Sequence, residues 1–402
     1  MSASSELFLS NGILPLKFSA SLLTLESGAT IDALRSPRIC KLPDAESPRR
    51  ISRRRRRPHW QPGGPSTETT HQADTALQSL QWRVPISFQT TMPGLGDSPL
   101  YVTRMISESS SGEVSLQLFE PGEIVPAFSI SDAVREGKVE AGYTWLGYDQ
   151  GKNSASALLS AVPFGMEPAE FIAWWYEADG RELGEELYLK FNAHPILCGL
   201  TGPETAGWFR KRIESLDDLR GLKIRFAGIG GKVIERFGAS VTMLPGGEIF
   251  QALEKGAIDA TEFSLPIVDQ SLGFHRIAPF NYYPGWHQPA TASHLIVNLD
   301  IWRALPNANQ KLIETACTAG VTRNLAKTEA GQGSIIAGFP DIGVSAETLP
   351  LDVLRALELA TNEILDEEAQ ANDMFHRVLE SQRRFRKDYA HWKKLGYLPR
   401  DF

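Results

Sequence analysis

The sequence predicts an α/β protein of two similar lobes that share one cleft, followed by long helices at the C-terminal end. Three observations predict it. Strand-like and helix-like patterns alternate from about Gln81 to Asn298. A short motif occurs twice: AVREGKVEAGY, ending on Tyr143, matches ALEKGAIDATE, ending on Glu262. Each copy reads as a helix end, a glycine stop and a strand, so Tyr143 and Glu262 are equivalent, one from each lobe. From Leu299 onward the pattern is almost wholly helical.

Charge divides the chain differently. Residues 1–80 carry 11 Lys and Arg against 7 Asp and Glu; the remainder carries 30 against 41. The body is therefore acidic, which argues against nucleic acid as a partner. The first 79 residues read as a disordered extension. They hold a mildly apolar stretch at residues 12–25, interrupted by Lys17, and a basic block, RRISRRRRRP, at residues 49–58. No run reaches the roughly 18 apolar residues of a membrane span. Cys40, Cys198 and Cys317 are isolated in sequence and read as buried or incidental thiols.

The first lobe reads in order as follows. WRVPISFQT is a strand and VSLQLF a second, with a helix between them. KVEAGYTW is a third strand, preceded by a helix that Gly137 ends. Residues 157–166 read as a strand and loop, residues 168–185 as one helix rich in Trp and Glu, and HPILCGL as a strand. Residues 202–209 cross to the second lobe. SHLIVN returns to the first, residues 343–349 suggest a last short strand, and residues 351–371 and 374–394 are amphipathic helices. The expected organisation is lobe I over residues 80–201 and 293–340, lobe II over 202–292, and a helical segment over 341–402 packing across both.

The chemistry concentrates in residues 221–288. GLKIRF is a strand ending on Arg225; AIDATEF is a strand ending on Glu262; APFNYYPGWHQP is an aromatic-rich loop. Ligands of open α/β sheets sit at such strand ends. An arginine there grips a carboxylate through paired N–H donors. A glutamate beside it repels that carboxylate unless a cation lies between them, or else it forms an internal ion pair with Arg225. The glycines of AGIGGKV fit neither a phosphate loop nor a dinucleotide fingerprint, although a glycine-rich helix start can hold an anion. His287 and His294 lack partners at helical spacing, so nothing in the spacing supports a catalytic or zinc-binding role. Hydrolase, zinc-protease and EF-hand motifs are absent.

TGPETAGWFRK, LDDLRGLKIR, LPGGEIFQALEKGAIDATEF, LGFHRIAPFNYYPGW and SHLIVN together resemble the solute receptors of tripartite ATP-independent periplasmic (TRAP) transporters, the DctP family. The branch they resemble binds 2-oxo and 2-hydroxy acids, and the likeness extends over residues 80–395. It implies a two-lobed periplasmic-binding-protein fold with an interlobe cleft, and a periplasmic receptor that is not an enzyme. The implied ligand is a small monocarboxylate bound with sodium or calcium, with no organic cofactor. The implied partners are the TRAP membrane permease subunits; homodimers through the long helices occur in that branch. Carried over, the carboxylate-gripping arginine is Arg225. The cation-holding positions are Glu204, Glu262, Phe263 and Gln288, and Tyr148 and Trp286 join Glu204 and Phe263 against the substrate. The branch usually has Gln where Glu204 stands and Glu where Gln288 stands, and an aromatic at His287. One carboxylate is lost and one gained, so the charge is conserved if both positions face one pocket. A lyase or dehydratase acting on a carboxylic acid, with Glu204 or His287 as base, is the alternative on the same scaffold.

Overall fold

The computed structural model describes residues 79–398. The basic block, the apolar stretch of residues 12–25 and Cys40 lie outside the described residues.

The chain opens with a parallel β-α-β unit: β1 (Leu80–Pro85), α1 (Asp97–Ser109) and β2 (Val114–Phe119), with Leu80 opposite Val114 and Pro85 opposite Phe119. After α2 (Ile130–Arg135) comes β3 (Ala141–Trp145), joined to β1 through a parallel bridge between Ile86 and Tyr143. Two helices, α3 (Pro168–Glu177) and α4 (Gly180–Leu189), precede β4 (Ala193–Thr201). The chain then builds a second sheet from β5 (Gly207–Phe209), β6 (Lys223–Arg225), α5 (Gly228–Glu235), β7 (Ser240–Thr242), α6 (Gly246–Glu254), β8 (Ala260–Thr261), α7 (Pro266–Ser271) and β9 (Phe280–Tyr283). It returns as β10 (Thr291–Asn298), which lies antiparallel between β3 and β4. Two further helices follow, α8 (Leu299–Ala304) and α9 (Asn307–Ala337). Then β11 (Ser345–Thr348) joins the edge of the second sheet, giving the order β11-β9-β5-β8-β6-β7. The chain ends in α10 (Leu351–Ala371) and α11 (Asp373–Gly396).

The continuous apolar runs of β4 and β10 follow from burial on both faces: every residue of each is buried, and β4 packs against both α9 and α4. Farther along, α9 reaches the second lobe, where Gln332 accepts a hydrogen bond from the Ile267 amide of α7 (3.2 Å). The two C-terminal helices divide their contacts: α10 packs on α5, and α11 on α3, α4 and the turn at residues 154–159.

The repeated motif is a real structural equivalence at its caps. Gly137 and Gly256 both take left-handed backbone, at φ 69° and 71°. In each, the next amide bonds back five residues, Lys138 to Ala133 and Ala257 to Ala252, both at 2.9 Å. The equivalence ends at the side chains, because Tyr143 points into the first lobe's core, where its hydroxyl meets Ser98 Oγ (3.0 Å).

Three expectations are corrected. Residues 157–166 do not form a strand; Ser154–Leu159 is a 3-10 turn capped by the Asn153 side chain. Its run of small and apolar residues reflects all-round burial, which period cannot separate from a strand. The single helix over residues 168–185 is two, because the backbone turns out of the helix at Ala178 (φ -130°, ψ -148°). Cys198 and Cys317 are not free thiols but a disulfide between β4 and α9. The two helical and strand partners meet closely: a Cβ on Gly320 would lie 2.6 Å from the Cys198 carbonyl oxygen.

The disulfide closes a loop across 119 residues. Replacing both cysteines with alanine is expected to lower the unfolding free energy by about 2–5 kcal/mol, read from urea denaturation. His294, buried on β10 against Trp175, has its pKa pushed down to about 3 by burial. The folded state thus favours the neutral ring. Its stabilisation is complete above the ordinary histidine range and is lost as pH falls from there towards 3, by up to about 1.4 kcal/mol per pH unit. Thermal melts from pH 7 to 4 should show a shallower decline in His294→Gln than in the native chain.

Candidate functional site

The chain passes from the first lobe to the second at residues 202–206 and back at residues 284–290. These two crossings lie against each other. The Glu204 amide donates to the Gln288 carbonyl (3.1 Å). Gly285 permits the approach, since a Cβ there would lie 2.1 Å from the Glu204 carbonyl oxygen. Glu204 is therefore fixed on one crossing, and His287 and Gln288 on the other. The ends of β6 and β8 bring Arg225 and Glu262 to the same place, because the two strands are parallel neighbours with Arg225 opposite Thr261.

Arg225, Glu262, Glu204 and His287 are all at least 97% buried. Arg225 Nη1 donates to Glu262 Oε2 and to the Glu262 carbonyl, both at 2.8 Å, and Nε donates to the Leu244 carbonyl (3.1 Å). Glu262 Oε2 also accepts from the Ala227 amide at the start of α5 (3.0 Å). The glycine-rich helix start thus holds an anion, and that anion is Glu262 itself. Gln288 Nε2 donates to Glu262 Oε1 (3.2 Å), and Thr291 Oγ1 lies 2.9 Å from Glu204 Oε1 and 2.7 Å from Gln288 Oε1. Phe263 lays its ring under the guanidinium, 5.1 Å from centroid to Cζ.

The first lobe supplies the opposite wall. Trp145, Tyr148, Phe88 and Leu95 line a cavity of about 20 Å³ together with Glu204, Arg225, Glu262, Phe263, Gln288 and Thr291. Phe88 contacts Phe263 across the lobes, ring centroids 6.3 Å apart. The turn that carries Tyr148 is fixed by buried Asp149, which accepts from Ser131 and from Tyr188 (3.0 Å). Burial pushes the Tyr148 hydroxyl up to about 12 despite the neighbouring Arg225.

Charge in the site is unevenly partnered. Burial raises the pKa of Glu204, and the Glu262 carboxylate beside it adds to the rise against the pull of His287 and Thr291. Burial acts the same way on Glu262, but Arg225, His287 and the Ala227 amide together outweigh it and hold that carboxyl below its ordinary value. Burial alone would lower the pKa of His287; the two carboxylates overcome it and raise the imidazole to about 9. Glu204 Oε2 and both ring nitrogens of His287 are buried without a hydrogen-bond partner. Among the described residues, Glu204, Glu262 and His287 form a group whose donor atoms all lie within 4.8 Å of one another. One unpartnered buried carboxylate oxygen and two unpartnered ring nitrogens, beside a second carboxylate, fit a cation.

The structure brings Arg225, Glu204, Glu262, Phe263, Gln288 and Tyr148 to one cavity. Gln288 faces Glu262 with its amide nitrogen and buttresses the carboxylates. The Phe263 ring offers no oxygen, so any donation to an ion falls to its backbone. Trp286 differs from expectation. Its ring packs in the core between Phe164 and Phe226, with centroids at 5.7 and 5.9 Å, and it does not line the cavity. His287 is the residue that sequence spacing passed over: its partners are distant in sequence and meet it only where the crossings join. The signal was the pairing of a glutamate gained at 204 with a glutamate lost at 288, on either side of a cleft that a histidine adjoins.

A two-lobed α/β body with a buried arginine and carboxylates where its crossings meet has the build of a solute-binding protein. Residues 96–372 match DctP, bacterial extracellular solute-binding protein family 7. The chain is 34% identical over 329 residues to the monocarboxylate 2-oxoacid-binding periplasmic protein of Nostoc sp., covering 82% of this chain and 90% of that one. Two solved TRAP solute-binding proteins superpose over 79% of the chain. That of Bordetella bronchiseptica, with copurified calcium and picolinate, matches at TM-score 0.77 and 32% identity over 94% of its length. That of Pseudoalteromonas atlantica, with sodium and pyruvate, matches at 0.76 and 31% over 96%. The chain belongs to the DctP family. Its relatives are receptors, which removes support from the lyase or dehydratase alternative.

Breaking the Arg225–Glu262 pair from one side leaves a buried charge. Arg225→Met is expected to cost about 3–5 kcal/mol, and Arg225→Met with Glu262→Met distinctly less, measured by chemical denaturation.

Proposed function

We propose that the chain is the receptor of a TRAP transporter for a small 2-oxo or 2-hydroxy monocarboxylate, taken up together with a cation and presented to the membrane permease subunits. One observation carries this reading. A buried arginine and two buried carboxylates line one cavity between the lobes, with a buried histidine 3.4–3.6 Å from both carboxylates.

Arg225 supplies the charge for the ligand carboxylate, and Phe263 and the Leu244 carbonyl hold the guanidinium in place. Glu204 and Glu262 would repel the same ligand, so they would hold the cation that neutralises it; the cation's chemistry is that of charge compensation and orientation. Trp145, Tyr148 and Phe88 close from the first lobe and exclude water. A ligand touching both walls at once shifts the equilibrium towards closure by its differential affinity for the closed form. The relatives support the ligand class: the Nostoc protein is named for monocarboxylate 2-oxoacids, and a Colwellia psychrerythraea protein of the fold holds calcium and pyruvate. The disulfide between β4 and α9 suits an oxidising compartment outside the cytoplasm. A homodimer through the long helices belongs to the same proposal, supported by exposed Leu351 and Leu359 on α10 and the dimer described for the Bordetella protein.

A thermal-shift and calorimetric screen of small 2-oxo and 2-hydroxy acids, in chelated sodium-free buffer and with each cation restored, tests the reading. Pyruvate-sized acids should stabilise the chain and require a cation. Glu204→Gln should weaken acid binding by about tenfold or more and abolish the cation requirement, in line with the loss of one charge-assisted contact. Full-strength binding without any cation would refute the role of Glu204.

A further inference from the structure

We infer that the cation position of this chain is built for a divalent metal ion of the zinc and cobalt kind, with His287 as its nitrogen ligand, rather than for sodium or calcium. This rests on the preceding reading that an ion lies between Glu204 and Glu262.

The donor set decides it. Sodium and calcium are hard cations that take oxygen ligands. Imidazole suits zinc, copper, iron and nickel, and mixed nitrogen and oxygen sites rank these ions above the alkaline earths. In the Bordetella, Pseudoalteromonas and Colwellia proteins the ion is calcium or sodium. Here a buried imidazole stands among the donors. His287 Nε2 lies 3.4 Å from Glu262 Oε1 and 3.6 Å from Glu204 Oε2. Both separations exceed a good hydrogen bond. They match donors sharing one ion: tetrahedral ligands at about 2.0–2.2 Å from zinc stand about 3.3–3.6 Å apart.

The histidine is also built into place. Its ring meets the Phe226 ring at 4.8 Å and the Trp286 ring at 5.6 Å, both edge-on. Gly230 makes room for it, since a Cβ there would lie 2.9 Å from His287 Cβ. Trp286, which does not line the cavity, therefore acts on the site through His287. Two glutamates and one histidine leave coordination positions for further donors, as in sites where three protein ligands keep an open place. A 2-oxo acid offers a carboxylate oxygen and a keto oxygen to fill them, and Arg225 stands ready for the second carboxylate oxygen.

The test uses the full chain stripped with chelator. Cobalt, zinc, calcium and sodium are titrated singly by calorimetry, first alone and then with pyruvate, and the visible absorption of the cobalt form is recorded. One cobalt or zinc ion per chain is expected, bound at least about 10–100-fold tighter than calcium, with a visible spectrum that shows a nitrogen ligand. His287→Gln should lower cobalt and zinc affinity by about 10–100-fold, change the cobalt spectrum and lower calcium affinity far less than cobalt affinity. His287→Asn serves as the second variant, and the native-chain titration needs no variant at all. Calcium or sodium binding as tightly as cobalt, or a cobalt spectrum unchanged in His287→Gln, overturns the inference. So does pyruvate binding at full strength in chelator, which would make the imidazole itself the positive group. Pyruvate that binds well with calcium but no better with cobalt overturns this inference and leaves the carboxylate receptor standing. Tight cobalt binding with no acid bound under any ion overturns the receptor reading and supports the metal site.

Discussion

The ion pair between Arg225 and Glu262 governs the rest of the site. Both groups are buried, and neither would be tolerated there alone. The guanidinium is held on three sides: by the Glu262 carboxylate, by two backbone carbonyls and by the face of Phe263. Glu262 in turn is held by Arg225, the Ala227 amide at the start of α5 and the Gln288 side chain. What it leaves over is negative: Glu204 is buried with one carboxylate oxygen unpartnered, and among the described residues its ion-pair partner is His287.

Much of this was legible along the chain, and for physical reasons. A charged residue at the end of an apolar strand is conspicuous because burial would be costly without a partner, and both Arg225 and Glu262 announce themselves that way. The glycine stops at 137 and 256 mark equivalent helix ends because left-handed backbone there leaves little choice of residue. The long helices of residues 351–371 and 373–396 are legible from their period. The exchange of Gln for Glu at 204 and the reverse at 288 also pointed to one shared pocket, and both side chains do line the same cavity.

What was not legible depends on contacts between segments far apart. Cys198 and Cys317 carry no local spacing signal, because the bond is set by how α9 lies on β4. His287 has no partner within a helical turn; its carboxylate neighbours reach it from the other crossing and from the end of β8. Trp286 and His287 are adjacent, yet one faces the core and the other the site, a division that an aromatic-rich loop does not disclose. The run at residues 157–166 is apolar because it is enclosed on every side, and enclosure leaves no period to read.

The hydrogen bond between the Glu204 amide and the Gln288 carbonyl, with Gly285 drawn against the same backbone, puts the charged groups on the fulcrum between the lobes. A rotation about that axis moves atoms in proportion to their distance from it. Glu204 and His287 sit on the crossings themselves, whereas Trp145, Tyr148 and Phe88 belong to the first lobe. A closing movement about the crossings would therefore carry the aromatic wall farther than Glu204 and His287.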